Sequence, residues 1–126
     1  MPVGPVPETE TLTRFTYEDS YFRADNTVKP KAFYPDQAGT CSVMATTGLD
    51  HSGTCAVAAQ YVTPHRRRAL LGYANVSCSV VFRVGLRADF DEPPPNHANI
   101  CGHSRTREEV MERAHLLAKE ASFTRV

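Results

Sequence analysis

The chain has 126 residues, 41% of them apolar, enough to bury one core but too few for two independent ones. Its 14 Lys and Arg balance 14 Asp and Glu, so no global field draws it to a polyanion, and nucleic-acid contact is not favoured unless it is local. No apolar run approaches the roughly 18 residues of a membrane span, and Met1-Pro2-Val3-Gly4-Pro5-Val6-Pro7-Glu8-Thr9-Glu10 has neither the basic nor the apolar region of an export signal, so the expectation is a soluble cytoplasmic protein without a membrane partner.

Residues 1–12 combine three prolines and a glycine with almost no apolar periodicity, which predicts a flexible, disordered arm ahead of a single domain over 13–126. Arg14 to Tyr34 carries six of the eleven aromatic residues, with cations between them. Asp25-Asn26 reads as a turn, and Pro30 holds Lys29 extended. Alternating aromatics and cations suit a stacking platform for bases; Phe15, Tyr17, Phe22 and Phe33 equally suit a core beneath an irregular segment.

Cys41 to Thr46 reads as a short buried strand. Asp50 or Ser52 then caps a helix over about 52–62, whose stripe is Cys55, Ala58, Ala59 and Val62 and which Thr63-Pro64 ends. The dense basic run His65-Arg66-Arg67-Arg68 fits a phosphate contact or, more simply, a solvated connector behind a helix C-terminus. Ala69 to Val76 is expected as a strand. Ser77 to Leu86 reads either as a strand or as a short helix with a serine N-cap, Gly85 after its last turn and Leu86 folding back; the punctuation favours the helix. Leu86 to Phe90 alternates as a strand.

Pro93-Pro94-Pro95 predicts an extended polyproline strap, followed by a strand with Ala98 and Ile100 on one face and His97, Asn99 and Cys101 on the other. Thr106-Arg107-Glu108-Glu109 is a capping box. Val110, Ala114, Leu117, Ala118 and Ala121 then form the stripe of a helix over about 106–121, with Glu109 and Arg113 paired outside. The fold class is α+β: a small antiparallel or mixed sheet packed by these two main helices.

Cys41, Cys55, Cys78 and Cys101 are widely spaced without a Cys-x-x-Cys pair, so free thiols are expected. His97-x3-Cys101-x-His103 offers three metal-type ligands, yet structural zinc takes four from two paired knuckles, and there is no second knuckle; neither metal nor cofactor is predicted. Cys101 as a nucleophile would need a lowered pKa and an orienting third group. Phosphate-binding glycine loops and nucleophile elbows are absent from the sequence. What remains is a non-catalytic binding or accessory module for a protein or small ligand, acting through the strap, His97 and the ligand-binding candidates Arg14, Lys29, Lys31 and Asn99. The alternative is a metal-independent enzyme acting on RNA or a nucleotide, with His97 as acid/base and the cations as phosphate clamps. Whether the chain is an enzyme stays open at this point.

The order Val28-Lys29-Pro30-Lys31-Ala32-Phe33, then Ser42-Val43 running to Gly48-Leu49-Asp50, then Pro93-Pro94-Pro95 with His97-Ala98-Asn99-Ile100 and a final helix, resembles a group of small uncharacterised bacterial proteins over roughly residues 14–121. The resemblance implies a bacterial cytosolic domain and transfers no catalytic residue.

Overall fold

A computed structural model describes residues 3–103 and 106–126. Seven strands, β1 (Val3–Pro5), β2 (Thr11–Thr16), β3 (Cys41–Ala45), β4 (Gly72–Ser77), β5 (Arg87–Asp91), β6 (His97–Cys101) and β7 (Ser122–Arg125), form one sheet in the order β1-β5-β6-β3-β2-β4-β7. Every pairing is antiparallel. The helices are α1 (His51–Val57), α2 (Cys78–Arg83) and α3 (Arg107–Glu120). None of the described helices is long and apolar enough to cross a membrane.

Because successive side chains in a strand point to opposite faces, the sheet has two different sides. Leu12, Cys41, Val43, Ala45, Val76, Ala88, Ala98 and Ile100 build the larger core with Phe33, Val81 and Leu117. The opposite residues Phe15, Met44 and Tyr73 form a second, smaller cluster with Tyr17 and Ala58. That second cover extends over β2, β3 and β4 only. Beyond it the same face of β5 and β6 carries Asp89, Asp91, His97, Asn99 and Cys101, a polar strip left beside the small cluster.

The expected arm at 1–12 is, from Val3 onward, part of the fold. Val3, Gly4 and Pro5 lie opposite Asp91, Phe90 and Asp89, Val6 donates its amide to Ala88 O at 2.8 Å, and its side chain is buried in the larger core. The proline content hid this because an edge strand needs ladder hydrogen bonds on one side only. Four aromatics of the aromatic-rich stretch go to the core, Phe15, Tyr17, Phe22 and Phe33, while Tyr34 is exposed and Arg14 and Lys31 lie over the Tyr21 ring.

Both expected helices are present, with changes. The segment from His51 continues past Val57 through a wider turn over Ala58–Val62, where Thr63 N bonds to Ala58 O. Thr54 and Ala58, one ordinary helical turn apart, face inward, while Ala59, inside the wider turn, is exposed. Asp50 is its N-cap, accepting from Gly53 N. The 77–85 segment is the helix α2: Ser77 caps it, Gly85 has φ of 88°, and Leu86 N donates back to Val81 O at 3.0 Å, the glycine-terminated ending the sequence implies. In α3, Ala114, Leu117 and Ala118 are buried as expected. Thr106 is its N-cap residue but makes no side-chain capping bond, and Arg113 reaches Gly102 O rather than Glu109.

The proline run is not an extended strap. Phe90 lies opposite Ala98, so the chain must reverse between them, which a rod-like polyproline segment would prevent. Instead the Glu92–Pro93 and Pro93–Pro94 bonds are cis and Asn96 takes φ of 66°. His97 N closes the turn on Pro94 O at 3.1 Å.

Candidate active site beside the β2–β3 divergence

The site arises from an interrupted ladder. β2 pairs with β4 along its full length, from Thr11 opposite Ser77 to Thr16 opposite Gly72, but with β3 only at Leu12–Ala45 and Thr13–Met44. Past that point the two strands part. Arg14 bridges the opening, its Nη1 donating to Ser42 O at 2.9 Å and its Nε to Ala32 O at 2.9 Å. A side chain thus takes the place of missing backbone pairing.

Alongside lies a pocket of about 190 Å³ lined by Phe15, Ser42, Met44, Tyr61, Val62 and His97, with Arg14, His65, Arg66 and Pro94 among its other walls. His97 comes from the start of β6 and is 18% exposed. Its Nδ1 is 2.7 Å from Asp91 O and its Nε2 is 2.6 Å from Ser42 Oγ. A carbonyl oxygen only accepts, so Nδ1 carries the proton; in the neutral ring Nε2 then holds the lone pair and accepts from the serine hydroxyl. The Asp91 carboxylate lies 3.9 Å from the same Nδ1 and is fixed by Asn99, whose Nδ2 donates to Oδ2 at 2.9 Å. Serine, histidine and an orienting acceptor stand in the order that nucleophilic chemistry requires.

Two further cavities adjoin the pocket. One, of about 260 Å³, is bordered by Arg14, Tyr17, Glu18, His65, Arg66, Arg67 and Arg68; the other, of about 430 Å³, by Arg14, Lys31, Asp36, Ser42 and Arg66 among others. Arg14 and Arg66 border all three. Cations outnumber carboxylates here, although Glu18 pairs with Arg68 at 3.7 Å. Asp36 is also committed: its carboxylate accepts from the backbone N–H and hydroxyl of Thr40 and from Ala38 N, which holds its pKa below the usual carboxylate value, the Thr40 N–H contributing most. Arg66 stacks over Tyr17 with its guanidinium carbon 5.4 Å from the ring centre. A zero net charge therefore conceals a local cationic basin.

The expected site residues are partly brought together. His97 and Arg14 share the pocket, and Lys31 borders the adjoining cavity, its Nζ 3.4 Å from Ser20 Oγ. Lys29 lies elsewhere, beside Phe22, Arg23 and Arg125. Asn99 acts on Asp91 rather than on the pocket. The His97-x3-Cys101 pair shares a strand face but is four residues apart, roughly 13 Å at strand rise, too far to clasp one ion; no group of three or more metal-type side chains occurs among the described residues. Cys101 donates to Asp89 Oδ2 at 3.4 Å, and burial, then this carboxylate, pushes its pKa up, the reverse of an activated thiol. Among the described residues His103 has no hydrogen-bond partner on either ring nitrogen, and burial and Arg113 lower its pKa.

Ser42, Asp91 and the His65–Arg68 run are what the sequence reading missed or discounted. Ser42 was legible only through alternation along β3, which puts it on the Met44 face, and its meeting with His97 depends on the β3–β6 register that sets Ser42 opposite Asn99. Comparison with family models, curated proteins and solved structures finds no match to this chain.

Proposed function

We propose that the protein is a binding module for a small anionic ligand, one carrying a phosphate or a comparable oxyanion, which occupies the cationic basin and reaches toward His97. The observation that carries this reading is the convergence of Arg14 and Arg66 on three adjoining cavities with Lys31, Arg67 and Arg68 at their borders. Guanidinium groups offer forked donors that match oxyanions, and the exposed His65–Arg68 run is available to them at little desolvation cost. The setting we infer is the bacterial cytoplasm, as the sequence resemblance implies, and four unpaired cysteines suit a reducing compartment.

The test is calorimetric titration with pyrophosphate at low and moderate salt. Binding that weakens as salt rises, and that drops in an Arg66→Ser/Arg67→Ser double variant of unchanged thermal stability, is expected. No heat at millimolar pyrophosphate, or equal affinity in the double variant, would overturn the reading.

A further inference from the structure

We propose that Ser42 is a catalytic nucleophile with His97 as its general base, and that the ligand of the basin is a carboxylic ester with a short acyl group and an anionic alcohol portion. This rests on the anion-binding reading and adds a reaction to it. Three observations point the same way. The Ser42 hydroxyl and His97 Nε2 are 2.6 Å apart, and Nδ1 is locked by Asp91 O at 2.7 Å, so the base is held in the tautomer that accepts the serine proton. Asp91 is a positioning residue here, its carboxylate steadied by Asn99. Half of the residues that line the pocket at this serine are apolar, Phe15, Met44, Tyr61 and Val62 among them, and about 190 Å³ is below the usual range for drug-sized ligands, which suits a short acyl chain. The cations lie in the adjoining cavities, where the alcohol portion would extend, and Arg14 and Arg66 border the serine pocket itself. Both line the pocket that holds Ser42 and carry the positive charge that would offset an oxyanion formed at the attacked carbon.

In the first step Ser42 Oγ forms a bond to the carbonyl carbon while its proton passes to His97 Nε2. Collapse of the tetrahedral adduct breaks the bond to the alcohol oxygen, which leaves with the proton from Nε2. Water then attacks the acyl-serine, gives one proton to Nε2, and the departing Oγ recovers it, releasing the carboxylic acid. Atoms and protons balance with ester and water alone. No oxidant or reductant enters.

The experiment uses a fluorophosphonate ester, from which an activated serine displaces fluoride and keeps the phosphonyl group. Intact mass and peptide mapping of the full chain should give one adduct, on Ser42, absent in Ser42→Ala and slowed about 100-fold or more in His97→Gln. No adduct, an adduct forming equally fast in His97→Gln, or labelling of urea-unfolded protein at the native rate would overturn the nucleophile; the wild-type comparison of native with unfolded chain decides the matter even if His97→Gln does not fold. For the substrate class, 4-carboxyphenyl butyrate should be cleaved about tenfold faster than phenyl butyrate, the worth of one good ionic contact, with pyrophosphate competing. Equal rates without competition would overturn it. The two proposals fail separately: pyrophosphate binding without a Ser42 adduct removes only the catalysis, whereas an adduct without pyrophosphate binding removes the anionic ligand.

Discussion

Replacing Arg14 separates a strut from a ligand clamp. Its guanidinium spends two donors on the Ser42 and Ala32 carbonyls, both at 2.9 Å, and it is the link between β2, the Pro30–Phe33 turn and β3 where the ladder is interrupted. A hydrogen bond from a charged donor contributes about 1.5–3 kcal/mol. Lysine keeps the charge but has no rigid fork, so Arg14→Lys retains one contact at best and should lose about 2 kcal/mol of folding stability. Arg14→Met, which leaves both carbonyls without their donor, should lose about 3–4 kcal/mol. At this chain length 2 kcal/mol lowers the thermal midpoint by roughly 6–10 °C. Urea unfolding followed by circular dichroism measures the loss, and Lys31→Met is the comparison, because its 3.4 Å contact with Ser20 is exposed and its Nζ is 5.9 Å from the Tyr21 ring centre, contacts that together should be worth under about 1 kcal/mol. An Arg14→Lys protein within about 0.5 kcal/mol of wild type would show that the guanidinium does not hold the divergence together.

Three other outcomes follow from the same geometry. Gly72→Ala should destabilise by about 1–3 kcal/mol, an overpacking cost, because the new Cβ would run into the Phe123 ring and lie 2.6 Å from Thr124 O; urea unfolding and faster amide exchange over Thr124–Val126 would register it, and a neutral substitution would refute it. On the folded protein a maleimide should modify Cys55 well before Cys41 and Cys78, which are buried. Burial pushes the Cys78 thiol up from 9.0 to about 11, so its contribution is complete below pH 9.0 and is lost as pH rises toward 11, visible as a falling urea midpoint. His103 runs the other way: its folded pKa lies below 6.5, so the unfolded chain binds the proton more readily and stability falls as pH drops through 6.5 toward the folded value. His103→Gln should remove that part of the slope.

The helices and most inner strands were legible because each carries a local signature, whereas the inner strand β2 was not, its first residues lying in the stretch read as an arm. Ser77 and Gly85 bracket α2, the Val110–Ala121 stripe marks α3, a run of small and β-branched residues marks β3, and alternation marks β5 and β6. The edges were not. β1 looks like a loose arm because Pro2, Pro5 and Pro7 violate strand propensity, and only its pairing with β5, more than eighty residues away in sequence, supplies the missing energy. β7 escaped for a similar reason: Phe123 gains its burial from stacking on Phe22 at 4.5 Å, a contact invisible to any local window. His97 could be singled out by composition, but Ser42 could not, since a serine in a small-residue strand has many ordinary explanations. The basin was hidden by arithmetic, with acidic residues elsewhere cancelling cations that the fold gathers in one place.

The strand order also governs how this protein tolerates being rewired. β1 and β7 are the two outermost strands, so six interstrand steps, roughly 29 Å, separate the lines on which the described chain starts and ends. Joining those ends for circular permutation would take a linker of about nine extended residues at least, and it would have to pass across one face of the sheet. Over the larger core such a linker would meet α2 and α3; over the opposite face it would cross β6 and the His97 pocket. Fusions attached outward at either edge avoid both, and a bridge laid over the polar side becomes a deliberate way to cap the pocket.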